Sequence, residues 1–301
     1  MTLLEVIERI PGWAGAHVTA SALGGGITNL NYRVDVNGEA FVVRIPGKES
    51  ALLGIDRQRE YVCTVAASQS GVAPEVAHFL EAEGILVTRF ITGRAFSREE
   101  IGRPEAIRRV AESLRRVHGG PSFPGTFSPF EAAQEYLRVS RPTAPLPATV
   151  DWMLQRAGSI ARALAAVPQP RPCHNDLLLA NFIDDGHLIR IVDWEYAAMG
   201  DPFFDLSNFA VHHQFTDAQE ALLLDAYLGR VGPEHLARLK LMKILSDLRE
   251  AMWAMVQVTI SALDYDFVTY GQTHFDRCVR QLNDPHLSAW LSDAVGVGYA
   301  E

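Results

Sequence analysis

The sequence predicts an α+β protein in which strands come first and helices follow. Three observations carry this. Asn37-Gly38 stands between two alternating apolar runs at residues 32–36 and 41–45, a strong signal for a two-residue hairpin. Two more strand-like runs, 76–79 and 85–91, flank Glu83-Gly84. From residue 97 onward the apolar spacing is mostly helical. Strand runs followed by helix runs mark an α+β fold.

In order, residues 2–10 read as a short helix stopped by Pro11-Gly12. The run 18–33 leads into the first hairpin strand and contains Gly24, Gly25 and Gly26. Three glycines between strands can present backbone N–H groups to phosphate oxygens without side-chain obstruction, although a plain hairpin turn would use them too. No Gly-Lys-Ser/Thr follows, so this is not a Walker A loop. Residues 56–70 read as a helix carrying Glu60, and residues 71–75 break it. A first lobe therefore closes near residue 92, giving units 1–92 and 93–301 with Thr92-Gly93-Arg94 as linker. Residues 97–118 read as one helix, with His118 as a C-terminal cap before Gly119-Gly120. Further helices are expected at 130–139, 151–167, 217–229 and 234–264, and Asp201-Pro202 reads as a turn.

The stretch 173–209 carries the chemistry. His174 is followed by Asp176, by Asn181 after four intervening residues, and by Asp193 at the end of an apolar run. Asp184, Asp185 and Gly186 give the turn before a buried strand of Leu188, Ile189, Ile191 and Val192, which delivers Asp193 close to Asn181. This order, H-x-D-x-x-x-x-N then Asp, is that of the catalytic loop and metal-binding aspartate of protein kinases. Phosphoryl transfer needs a carboxylate beside the attacking hydroxyl and hard oxygen ligands for Mg²⁺. An Asp or Asn in a turn is ordinarily turn chemistry; four residues in this order with the strand between them point to catalysis. In that pattern the glycine triplet covers a triphosphate. Arg44 takes the place of the phosphate-holding lysine and can grip phosphate bidentately, unless it is a surface residue of an edge strand. Glu60 is its candidate partner, and backbone groups near Thr88 to Phe90 would meet adenine. Glu195 is either an extra carboxylate for metal or substrate, or merely solvated.

HNDLLLANF followed by DWEYAAMGDPFFDLSNF resembles the choline/ethanolamine kinase branch of the aminoglycoside phosphotransferase-like kinases. The resemblance covers about residues 20 to 280 and implies a bilobal, protein-kinase-like fold, with an antiparallel-sheet N-lobe and a mostly helical C-lobe around ATP. It implies ATP and Mg²⁺ as cofactors, Asp176 as the group orienting or deprotonating the acceptor hydroxyl, Asn181 and Asp193 as metal ligands, and Asp205 as a brace of the catalytic loop. The segment EAMWAMVQVTISALDYDFVTYGQTHFD resembles the part of choline kinases whose aromatic rings box a quaternary ammonium, a cation–π arrangement. Trp253, Phe267 and Tyr270 fall on or near matching positions. Glu250 stands where choline kinases usually have another tryptophan, and three residues apart on a helix puts it beside Trp253. A carboxylate there suits a protonated primary or secondary amine, which tilts the acceptor from choline toward ethanolamine or another amino alcohol.

Composition bounds the alternatives. With 301 residues and 48% hydrophobic content, the chain can bury one large core or two moderate ones. A net charge of −9 with no basic run excludes a nucleic-acid footprint. The longest uncharged apolar stretch, 251–263, is too short for a bilayer, and the N-terminus has no signal-peptide h-region. Cys63, Cys173 and Cys278 lie far apart and read as reduced thiols of a cytoplasmic protein. The expected partner is a small-molecule amino alcohol, with a monomer or homodimer as the assembly. An aminoglycoside kinase would use the same ATP machinery with an acidic pocket, and a pseudokinase-like nucleotide-binding module would lack the intact Asp176, Asn181 and Asp193.

Overall fold

The computed structural model describes residues 2–24, 29–47, 50–165, 169–261 and 263–294. The chain opens with helix α1 (Leu3–Arg9) and strands β1 (Val18–Leu23), β2 (Asn29–Val36) and β3 (Glu39–Pro46). After helix α2 (Arg57–Gln69) come β4 (Val76–Leu80) and β5 (Ile85–Arg89). These strands form one antiparallel sheet in the order β1-β2-β3-β5-β4. Asn37 and Gly38 turn the β2–β3 hairpin with φ of 51° and 90°, both in the left-handed region that Asn-Gly tolerates.

The two-residue period of a strand divides this sheet into working faces. Val34, Val36, Phe41, Val43, Ile85 and Val87 pack with Val6, Ile10 and Trp13 of the N-terminal segment into one small core. The alternate residues Val42, Arg44, Leu86 and Thr88 face a cavity on the other side. Arg44 therefore lies on a central strand, not an edge. Strand β5 stops at Arg89, two residues before the run that the sequence suggested.

The second part holds β6 (Arg94–Ala95), α3 (Arg98–Ile101), α4 (Pro104–His118), α5 (Pro129–Ser140) and α6 (Val150–Leu164). It continues with β7 (Arg171–Cys173), β8 (Phe182–Asp184), β9 (Ile189–Ile191), β10 (Ala198–Gly200) and α7 (Pro202–His212). The chain then forms α8 (Asp217–Leu228), α9 (Pro233–Ile260), α10 (Phe267–Leu282) and α11 (Leu287–Asp293). The expected helix 97–118 is two helices, because Pro104 cannot continue α3 but suits the first turn of α4. The expected helix 234–264 ends at Ile260, where Ser261 turns extended. Asp201-Pro202 is no plain turn. Asp201 caps α7 by accepting the Phe203 N–H at 2.9 Å, with Pro202 in the first helical turn.

Helix α9 is buried nearly all round from Leu239 to Gln257, with α5, α7, α10 and α11 packed about it. A helix buried on every side is a core helix, and the charged residues it carries there need partners. Leu53, Cys63, Ala66 and Ala67, on and before α2, join this larger core. No helix among the described residues is long and apolar enough to cross a membrane.

The segment from His174 to Asp193 is held rigidly between these parts. Asp205 on α7 accepts the backbone N–H of His174 at 2.8 Å and of Asn175 at 2.7 Å, and Asn208 accepts that of Leu177 at 2.6 Å. His118 is buried and bonds Asp205 at 3.0 Å and the Tyr227 hydroxyl at 2.7 Å, which is more than a helix cap. At the linker, a Cβ on Gly93 would stand 2.5 Å from Ile183 Cγ2 and 2.7 Å from the Asp184 carbonyl oxygen. Gly93→Ala should therefore cost about 1–3 kcal/mol of stability. The check is the urea unfolding midpoint, and an unmoved midpoint would mean that β8 yields to the added methyl.

Candidate active site

A cavity of about 370 Å³ lies under the sheet. Its walls include Gly24, Arg44, Glu60, Thr88, Phe90 and, from the second part, Asn181 and Asp193. Gly25 and Gly26 lie outside the described residues. The Arg89 and Phe90 amides already donate to the Glu75 and Ala40 carbonyl oxygens, at 2.8 and 2.9 Å. A ligand reading backbone donors here would meet Ile91, also on the cavity wall, before residues 88–90.

The charged end of this cavity is a chain of ion pairs. Arg44 meets Glu60 at 2.5 Å and Asp193 at 2.7 Å, and Arg57 meets Glu60 at 2.7 Å and Glu195 at 3.0 Å. Burial works against the charge on Arg44, but Asp193 and Glu60 raise its pKa overall. Glu195 is 2% exposed and also accepts the Asn29 side-chain N–H at 2.8 Å, so it is neither solvated nor unattached. It ties the first sheet to the catalytic segment.

Asp193 adopts φ of 71°, a conformation that β-carbon-bearing residues rarely take. Such backbone strain is kept only where the surroundings over-determine it. The Asn181 side-chain N–H₂ donates to the Asp176 carbonyl at 2.8 Å. Its amide oxygen is then the atom left for a cation, and the Asp193 carboxylate lies on the same cavity walls. Two hard oxygen donors where the cavities meet fit Mg²⁺, which favours one or two protein ligands plus phosphate oxygens and water.

A second cavity, about 250 Å³, shares Asn181 and Asp193 with the first and has Asp176 on its wall. Tyr196, Trp253, Tyr265 and Tyr270 supply its aromatic side. The Trp253 indole donates to the Tyr196 hydroxyl at 3.0 Å, and its ring stands 6.1 Å from that of Tyr270. Phe267 is corrected by the structure: it is 4% exposed and packs edge-on behind Trp253, 5.9 Å between centroids, in the large core. Tyr265 holds the rim instead, its ring 4.8 Å from Phe267. The side chain of Phe267, as the first residue of α10, is drawn to the core, while the loop before it stays at the mouth.

Glu250 does line this cavity beside Trp253, as their helical spacing required. It is not a free carboxylate. One oxygen pairs with the Arg249 guanidinium and lies 3.6 Å from His212; the other accepts the Tyr270 hydroxyl at 3.0 Å. Burial alone would raise its pKa, but Arg249 and His212 bring it well below the usual carboxylate range. Arg249 lies 3.4 Å from Asp176 as well. Burial pushes the Asp176 carboxyl up to about 6, against the lowering effect of Arg249. Tyr196, Tyr265, His212 and Arg249 were not singled out from sequence. Arg249 left no distinctive signal, since its helix also carries Arg238, Lys240, Lys243, Asp247 and Glu250.

The sequence profile of the phosphotransferase enzyme family matches residues 19–242, and the chain belongs to that family. Within it, the chain is 36% identical to a choline/ethanolamine kinase family protein from Mesorhizobium loti, with a TM-score of 0.84 over 96% of this chain and 97% of that one. The choline kinase LicA from Streptococcus pneumoniae is 26% identical, with a TM-score of 0.79 over 93% and 98% of the two chains. Human ethanolamine kinase 2 is 26% identical over 91% of this chain and 79% of its own length.

Asp176→Asn keeps the size of the side chain and removes its basicity, so turnover should fall by about 100- to 10,000-fold while ATP affinity holds. Single-turnover kinetics check this, and unchanged turnover would remove Asp176 from the chemistry. Because Asp176 takes up a proton below about 6, kcat/KM for the acceptor should decline as pH drops through that value. A pH profile flat into the ordinary carboxylate range would assign the proton to another group.

Proposed function

We propose that this chain transfers the γ-phosphoryl group of ATP to the hydroxyl of a small amino alcohol such as ethanolamine. The observation that supports it best is the meeting of two cavities at Asn181 and Asp193, one below the glycine-bearing sheet and one walled by Asp176, aromatic rings and Glu250. A nucleotide suits the first cavity: Leu86 and Val42 are apolar walls for a base, and Arg44 supplies a fixed charge for phosphate. An ammonium ion suits the second, where ring faces and a carboxylate both favour it.

In the reaction the acceptor oxygen forms a bond to the γ-phosphorus as the bond to the β,γ-bridging oxygen breaks and ADP leaves. The hydroxyl proton passes to Asp176. Asn181 and Asp193 would hold Mg²⁺, which when bound neutralises charge on the phosphates. Asp205 and Asn208 keep the Asp176 loop from moving, so little reorganisation is needed at the moment of transfer. Trp253, Tyr265 and Tyr270 hold the ammonium end and exclude water. ATP as donor and three unpaired, buried thiols fit a reducing cytoplasm.

The test is ADP release from Mg·ATP with ethanolamine, its N-methylated series, choline and several aminoglycosides, using Asp176→Asn as the blank. Turnover with amino alcohols, falling as methyl groups replace the N–H bonds, is the expected result. Turnover with aminoglycosides alone would overturn the acceptor while leaving the donor site in place. Asp193→Ala should raise the Mg²⁺ concentration needed for half-maximal rate by about tenfold or more. An unaltered metal titration would contradict its assignment.

A further inference from the structure

Arg249 is a guanidinium in the wall of a pocket whose acceptor is itself a cation. It is 1% exposed. It pairs with Glu250, lies 3.4 Å from an Asp176 oxygen, and stacks with Cζ 4.5 Å from the Tyr196 ring centroid. Its Nε and one terminal nitrogen have no hydrogen-bond partner among the described residues. Residues 249 and 250 are neighbours on a helix and would ordinarily diverge. The long arginine side chain instead crosses the Tyr196 face and comes between the two carboxylates. Burying such a charge is expensive, and an apolar residue of similar size would pack at less cost.

A count of charges gives the reason. Glu60, Asp193 and Glu195 share Arg44 and Arg57 on the sheet side of the cleft. That leaves Asp176, Glu250 and Arg249 at the acceptor end, a net charge of minus one. The other charged or titratable groups on this wall are His212, His213 and Arg98. Burial holds the His213 ring neutral, its pKa down to about 4, and Arg98 is exposed. Ligand atoms of Asp176, His212 and Glu250 lie within 4.8 Å of one another. Arg249 already supplies positive charge in that group.

We propose that Arg249 is a specificity-determining residue, cancelling one of two carboxylate charges so that the pocket takes a singly charged acceptor and turns away acceptors with two or more ammonium groups. At the acceptor end a second ammonium finds no carboxylate beyond the one that Arg249 already offsets and meets the guanidinium, so its desolvation is not returned. This inference rests on the amino-alcohol reading.

The test compares kcat/KM for ethanolamine and for a diamino-propanol at about pH 8, above the ordinary histidine range. Arg249→Met lowers the net charge to minus two and should shift the ratio toward the diamine by about tenfold or more. Arg249→Lys keeps the charge and should keep the wild-type ratio. The double variant Arg249→Met/Glu250→Gln restores minus one and should return the ratio toward wild type. If Arg249→Met does not fold, Glu250→Gln against the double variant carries the same comparison, since only Arg249 differs. A role in packing alone would lower both acceptors together, and an unmoved ratio overturns the proposal. A wild-type enzyme that binds ATP but phosphorylates neither acceptor overturns the amino-alcohol reading, and this inference with it.

Discussion

Four side chains, Arg57, Glu60, Arg44 and Asp193, set the conditions for the rest of this molecule. They join α2, the central strand of the first sheet and the end of the catalytic hairpin through contacts of 2.5–2.7 Å. Glu60 is 1% exposed, so its charge is tolerable only while both arginines face it. Removing one arginine would leave this buried carboxylate with a single cation and no solvent to make up the difference. The chain of pairs thus fixes the position of α2 relative to the sheet, and that position in turn gives the first cavity its charged end. Glu195 and Asn29 extend the tie across the cleft by a second route. One terminal nitrogen of Arg44, Nη1, meets both Glu60 and Asp193.

The fold and the grouping of Asp176, Asn181 and Asp193 around one cleft were legible because their signals are local. Asn37-Gly38 fixes a turn by backbone preference alone, and His174, Asp176, Asn181 and Asp193 lie within twenty residues of one another in order. The Arg44–Glu60 pair was legible as well, since it joins two elements that follow each other. The acceptor pocket was harder. Its wall is assembled from distant stretches of the chain, and sequence spacing could place Trp253, Glu250 and Tyr270 but not decide which neighbours turn inward. Phe267 was misplaced for that reason: one turn from Tyr270 on α10, its side chain goes to the core. Tyr196 was passed over although it lies three residues after Asp193, because a tyrosine after a turn has no distinctive pattern. Glu250 was placed correctly on its face, but its bond to the adjacent arginine depends on where a long side chain folds. His118 reads as a cap because its partners, Asp205 and Tyr227, lie 87 and 109 residues away.

The strained backbone at Asp193 and the braced loop at His174 belong together. Both put carboxylates into places that water would otherwise stabilise better, and both are held by contacts made far from the reacting atoms. Stability is spent there so that the groups need not move during transfer.

Helix α9 and the turn into α10 have a consequence for how such a protein can diversify. The residues proposed to meet the acceptor's nitrogen, Glu250, Trp253, Tyr265 and Tyr270, come from one helical hairpin, whereas those proposed to meet phosphate come from the hairpin of β8 and β9 and from the first sheet. The two sets share only the cleft between them. A handful of changes along a single rod can therefore exchange one alcohol for another while the phosphate chemistry is inherited intact, and the ancestry of the donor site need say little about the diet of the enzyme.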